Sequence, residues 1–208
     1  MQSVDALPGL ERLVEVCRGK GHPMKQEPPL TPAPVAGRPV AGLPLDPLLA
    51  AVHARVGYLW VRDGFFLLPA RDGWRPDLAG VNERWRRNWP EPFRSLVVFA
   101  QDDRMAYVYA TVPSLATASG SQPVVWVDTY EDLYALPVAS DVDRFLEAYS
   151  RYLELPEQPG EYEEGGLPAR LFPWDVPEII ARDGALMTML SAGHFDFLSG
   201  RSERARRW

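Results

Sequence analysis

What this chain has little of narrows it first. It holds one cysteine, Cys17, in 208 residues, so no internal disulfide can form and a reducing compartment is expected. No stretch approaches the roughly 20 apolar residues that a membrane-spanning helix needs. The opening Met1-Gln-Ser-Val-Asp-Ala lacks the basic and apolar regions of a secretory signal, so the expectation is a soluble, cytoplasmic protein with no membrane partner. The histidines are three, His22, His53 and His194, one in each of three separate segments. There is no G-x-S-x-G, S-x-x-K, H-E-x-x-H, C-x-x-C, calcium-loop, Walker or G-x-G-x-x-G pattern. The expectation is a non-enzyme, with no catalytic residue, no metal and no cofactor.

Other features are present in quantity. Apolar residues make up 46%, enough for a sizeable core, and the length suits one domain with an added terminal element. Proline is the outlier at 21 residues, against a usual share of about 5%. Eight prolines fall between Pro23 and Pro47. Proline donates no ladder hydrogen bond, so residues 23–45 are expected to form an extended connection rather than a regular element.

Charge is unevenly placed. Residues 128–164 hold eleven acids (Asp128, Glu131, Asp132, Asp141, Asp143, Glu147, Glu154, Glu157, Glu161, Glu163 and Glu164) against two bases, Arg144 and Arg151, a net of −9. The tail 201–208 nets +3, and the whole chain −6. Nucleic acid is a poor direct ligand for such a surface, because binding it needs a basic footprint. A basic protein is a natural one.

The pattern of elements is mixed. Ser95–Gln101 and Met105–Val112 are rich in β-branched and aromatic residues and flank Asp102-Asp103-Arg104, a hairpin signal. Pro123–Asp128 reads as a further strand, and Pro137–Leu146 as the opening of a helix with Ser140 as N-cap and Asp143 three residues on. Val142, Phe145, Leu146, Tyr149 and Leu153 recur at helical spacing. Upstream, a helix over 5–18 starts at Asp5 and stops at Gly19. A second starts at Asp46-Pro47 and ends at Gly57, and a third starts at Asp77 with Leu78, Val81 and Trp85 on its apolar face and Arg84, Arg86 and Arg87 on the other. Tyr58–Val61 and Phe65–Leu68 form a hairpin across Arg62-Asp63-Gly64. After the acidic linker, Asp175 and Glu178 signal a last helical region that Asp183-Gly184 breaks in two. Phe195, Phe197 and Leu198 are expected to bury.

Isolated reactive residues have plain explanations. His53 reads as a surface or boundary residue, Cys17 as a buried inert thiol, and Asp102-Asp103 as turn formers. Trp60, Trp85 and Trp126 read as packing, and Trp74 and Trp174 as local plugs in loops.

Four segments in order resemble the SMI1/KNR4 family, the SUKH superfamily of bacterial immunity proteins. They are the helix start Leu43-Pro44-Leu45-Asp46, the strand and acidic turn Val97-Val98-Phe99-Ala100-Gln101-Asp102-Asp103, the strand Pro123 to Asp128, and the capped helix start Ala139-Ser140-Asp141 leading to Phe145-Leu146. The resemblance covers about residues 40–155. It departs at Arg104-Met105, where the family often has glycine, and in the acidic linker and the segment after Leu167. It implies an α+β fold: a twisted, largely antiparallel mixed sheet of five or six strands with helices packed on it, over residues 1–165. A C-terminal helical extension, 166–208, is expected to dock on the same core, with a basic tail, 201–208. The implied role is an immunity protein that binds and neutralises a cognate antibacterial polymorphic toxin, basic and nucleic-acid-targeting, by steric and electrostatic blocking. The candidate partner-binding residues are Asp128, Glu131, Asp132, Glu147, Glu154, Glu157, Glu161, Glu163 and Glu164. The alternative is an intracellular regulatory or scaffold module without a toxin partner; a small hydrolase is a third, weaker class.

Overall fold

Among the described residues, the β-branched and aromatic runs pair with their neighbours and build a sheet of seven strands, every adjacent pair antiparallel. The computed structural model describes residues 6–29, 32–61, 65–70, 76–102, 107–130, 133–156 and 170–199. The strands are β1 (Met24–Glu27), β4 (Tyr58–Val61), β5 (Phe65–Leu67), β6 (Val97–Asp102), β7 (Tyr107–Thr111), β8 (Val124–Asp128) and β9 (Tyr134–Ala139), side by side in that order. A separate two-residue hairpin, β2 (Pro39–Val40) and β3 (Leu43–Pro44), precedes the second helix. The helices are α1 (Pro8–Lys20), α2 (Pro47–His53), α3 (Leu78–Asn88), α4 (Val142–Glu154), α5 (Pro177–Ile180) and α6 (Gly184–Ser191). The architecture is α+β, a sheet with helices packed against it.

The sheet has one or two strands more than the five or six that the resemblance implies, and two of its strands, β1 and β9, lie where the sequence places none. β1 occupies the proline-free gap between Pro23 and Pro28, so the 23–45 connection is partly regular. Its hairpin turns at Ala41-Gly42, both at positive φ (48° and 84°), the geometry of a tight two-residue hairpin turn. β9 takes up Pro137–Ala139, which the sequence places at a helix start. Pro137 is tolerated because β9 is the last strand of the sheet and the register with β8 shifts beside it.

The core is aromatic where α4 meets the sheet. The Phe145 ring lies 4.8 Å from Tyr109, 5.7 Å from Phe99 and 5.8 Å from Phe65. Phe99 is the extra residue of a β-bulge between Val98 and Ala100, and its ring lies on the α4 side against Phe145. Phe172 joins the cluster 5.4 Å from Tyr149, and Val176, Ile180, Leu186 and Leu198 are buried in the same core. Phe197 stays 43% exposed, unlike its neighbours Phe195 and Leu198. α3 is tied to β6 by Asn82, whose side chain accepts from the Val98 N–H at 2.8 Å and donates to the Val98 carbonyl at 2.7 Å, as a further strand would.

Several helix ends lie a few residues from where the sequence places them. Asp46 and Asp77 cap α2 and α3 as read, accepting from Leu49 at 2.8 Å and Gly80 at 2.7 Å. α2 ends at His53, short of Gly57. α1 runs through Gly19 to Lys20. Gly21, at φ 70°, closes it, with the His22 N–H reaching the Cys17 carbonyl at 2.9 Å in a Schellman motif. Asp5 lies outside the described residues. Asp141, not Ser140, caps α4, accepting from Arg144 at 2.8 Å. Asp143 instead reaches α1, taking the Gly9 N–H at 2.9 Å and the Leu10 N–H at 3.2 Å. A Cβ at Gly9 would overlap the Asp143 carbonyl oxygen, so only glycine lets the two helices approach this closely. Asp175 does not cap α5; its carboxylate accepts from Leu171 at 2.7 Å. Asp183 caps α6 through Leu186 at 3.0 Å and also accepts from the Ser140 N–H at 2.7 Å.

Asp143→Ala is expected to lower folding stability by about 1–3 kcal/mol, because it strands two first-turn N–H groups of α1. Ser140→Ala should change it by no more than about 0.5 kcal/mol. Urea unfolding of the two variants separates the capping roles.

Candidate partner-binding surface

The acid-rich segment begins at the end of β8. Asp128 is 7% exposed, and its carboxylate accepts from the Tyr130 N–H at 2.8 Å, a local turn, while Tyr130 itself is 79% exposed. On α4, Asp141 and Asp143 are committed to helix N-termini, and burial pushes both carboxyls up from their ordinary range. Glu147 sits between two arginines of its own helix, with Arg144 and Arg151 each at 2.8 Å. The Arg151 hydrogen bond, then that of Arg144, holds the Glu147 carboxyl below the usual carboxylate range. Glu154 pairs with Arg12 of α1 at 2.7 Å. Glu147 and Glu154 are seven residues apart and therefore share a side of α4.

Of the nine candidate residues, the structure thus places Asp128, Glu147 and Glu154, and each already has a partner within the fold. Glu131, Asp132, Glu157, Glu161, Glu163 and Glu164 lie outside the described residues, as do Asp103, Trp74 and the tail 201–208. The eleven-to-two imbalance therefore overstates the free negative charge along α4. Both local bases serve Glu147, and Arg12, far away in the chain, serves Glu154. Nothing near Glu154 in sequence signals that pairing, because the two residues are 142 positions apart.

Two surface concavities were not legible in the sequence. A groove of about 690 Å³ runs between the proline-rich segment and α3, with Pro29, Pro34, Val40, Leu45 and Leu78 in its wall and Glu27 and Glu83 among its charged lining residues. A second, of about 610 Å³, lies between α1 and β1. Among the described residues no group of three or more His, Cys, Asp or Glu is placed to hold a metal ion, and no described helix is long and apolar enough to cross a membrane.

The other weighed residues fall as follows. Cys17 is buried, and burial pushes its thiol up to about 11. Trp85 and Trp126 are core residues. Trp60 is half-buried on the opposite face of the sheet from Leu59, with the Lys25 ammonium 5.6 Å from its ring. Trp174 is half-buried against Trp126 and Tyr134. His53 departs from its reading as a boundary residue: it is fully buried, and neither ring nitrogen has a hydrogen-bond partner. The last turn of α2 turns it inward beside Val52, where helical spacing alone did not distinguish the two faces. No protein-family model, no curated protein and no solved structure matches this chain.

Burial holds His53 neutral down to about 4, whereas an unfolded histidine titrates near 6.5. Its contribution to stability is complete above pH 6.5 and is lost as pH falls toward 4, by roughly 3 kcal/mol. Asp46 opposes it. Burial raises its carboxyl from 3.8 to about 6 against the pull of the Leu49 and Gln122 N–H groups, so its contribution is complete below 3.8 and is lost as pH rises through 6. His53→Leu removes only the first effect. It is expected to stabilise the protein at pH 4.5 by about 2–3 kcal/mol more than at pH 7, read as the shift in urea midpoint at the two pH values.

Proposed function

We propose that this chain is an immunity-type binding protein. It acts in the cytoplasm of the producing cell, associates with a cognate antibacterial protein toxin, and neutralises it by covering the toxin's working surface. The observation that carries this reading is how the four segments of the SMI1/KNR4 resemblance come together. Asp46, which ends the first, accepts from the Gln122 N–H at 2.6 Å, immediately before the third. The second and third become β6 and β8, flanking β7. The fourth leaves β9 and lays Phe145 on that same sheet. Motifs separated by up to a hundred residues thus form one connected sheet-and-helix layer, the architecture that the resemblance implies.

A toxin that attacks nucleic acid presents a basic face. Attraction to it would come above all from Glu157, Glu161, Glu163 and Glu164, which have no base among them in the sequence. Asp128, Glu147 and Glu154 contribute less, because each carries an internal partner. Steric occlusion is the larger part of the mechanism; negative potential speeds encounter. A second reading, an intracellular regulatory or scaffold module, draws on the proline-walled groove beside α3, a concavity suited to a partner's side chains. A pull-down that returns several housekeeping partners and no toxin selects it.

Co-expression with the toxin encoded beside this gene is expected to rescue growth, and the purified pair to form a complex. Changing Glu157, Glu161, Glu163 and Glu164 together to glutamine should slow association by about tenfold at low salt, with the difference shrinking as salt rises. Glu147→Gln should leave the association rate unchanged and lower stability by no more than about 1 kcal/mol. Cells that are not rescued, together with a purified pair that does not associate, would remove the toxin reading.

A further inference from the structure

The two edges of the sheet differ. β9 is buried along its whole length, with α6 and the 3-10 turn Asp196–Leu198 packed against it. β1, at the other edge, pairs with β4 on one side, and among the described residues no strand lies on its other side. Lys25, Gln26 and Glu27 are exposed there and Met24 is half-buried. The Glu27 carbonyl accepts from the Gly57 N–H at 3.1 Å, which turns the backbone groups of Glu27, and by alternation those of Lys25, toward β4. Met24 and Gln26 then direct their N–H and C=O groups outward.

That outward edge is complementary to itself. About a two-fold axis through Gln26, an antiparallel second copy sets Gln26 opposite Gln26, so that the two exchange a pair of backbone hydrogen bonds. The same axis sets Lys25 opposite the second copy's Glu27, and Glu27 opposite its Lys25. Lys25 and Glu27 share a face with their register partners Trp60 and Tyr58, so the opposed charges meet beside the half-buried rings of Tyr58, Trp60 and Phe66. On the opposite face, the 610 Å³ groove lined by Leu10, Val14, Gln26 and Val56 borders the same strand.

We propose that β1 is the surface through which two copies of this chain associate, by a two-fold antiparallel β1–β1 pairing that joins two seven-stranded sheets into one. A lysine on a short edge strand discourages pairing with strands that offer it no carboxylate. Here Glu27, two residues away, supplies that carboxylate only when the incoming strand is a copy. The pairing rests on register and charge at β1 and is independent of the toxin reading.

Sedimentation of the full chain from micromolar to submillimolar concentration tests it. The parent is expected to dimerise reversibly. Lys25→Glu and Glu27→Lys should each weaken the dimer by about tenfold or more, because each replaces two attractive cross-strand pairs by two repulsive ones. The double variant restores both pairs with reversed sign and should return to within about threefold of the parent. Gln26→Pro, which removes the outward donor at a position where an edge strand accepts proline, should abolish the dimer while leaving the thermal midpoint of the monomer in place. A parent that stays monomeric throughout, a dimer indifferent to the single swaps, or a double variant that fails to recover overturns the proposal.

Discussion

The buried end of a helix must have its free N–H groups answered, and in this protein aspartates answer them, four from the residue before the helix and one from a distant helix. Asp143 is the leading case. It opens α4, yet its oxygens accept from Gly9 and Leu10 at the start of α1 and hold the two helices together where Gly9 allows close approach. Asp46 caps α2 and binds Gln122 ahead of β8; Asp183 caps α6 and binds Ser140 at the end of β9. Each of the three satisfies a helix terminus and anchors a distant part of the backbone at once. A charge-assisted bond to an N–H at a helix start is among the stronger polar interactions a fold can use, more so where solvent is excluded.

This constraint changes how the acidic character should be understood. A run of carboxylates in sequence suggests a negative face open to a partner. Along α4, two of the carboxylates are instead capping groups and two are held by arginines, one of them from α1. The described carboxylates of α4 are therefore largely engaged within the fold.

Much of the fold was legible because local chemistry agreed with the final structure. The hairpins of β4–β5 and β6–β7, the strand β8, and the caps at Asp46 and Asp77 all follow from alternation, turn residues and N-cap preference within a few positions. β1 was hidden by the prolines around it, and β9 by Pro137 and by the cap-like Ser140 that follows. The seven-residue spacing of Glu147 and Glu154 was visible; their arginine partners were legible only for Glu147, where the bases lie three and four positions away. His53 sat at a helical position compatible with either face, and only the packing of α2 onto the core decided it.

By itself the sequence determined the elements whose hydrogen bonds close locally: strand alternation, hairpin turns, the proline and aspartate at helix starts, and the apolar face of α4 that sets Phe145, Tyr149 and Leu153 inward. Tertiary structure decided which carboxylate serves which helix, which histidine loses its water, and which edge of the sheet has no further strand among the described residues. The carboxylate that serves the start of α1 comes from 134 positions away. A contact of that range leaves no periodicity in the chain, since nothing in the local order of residues records what the fold will bring beside them.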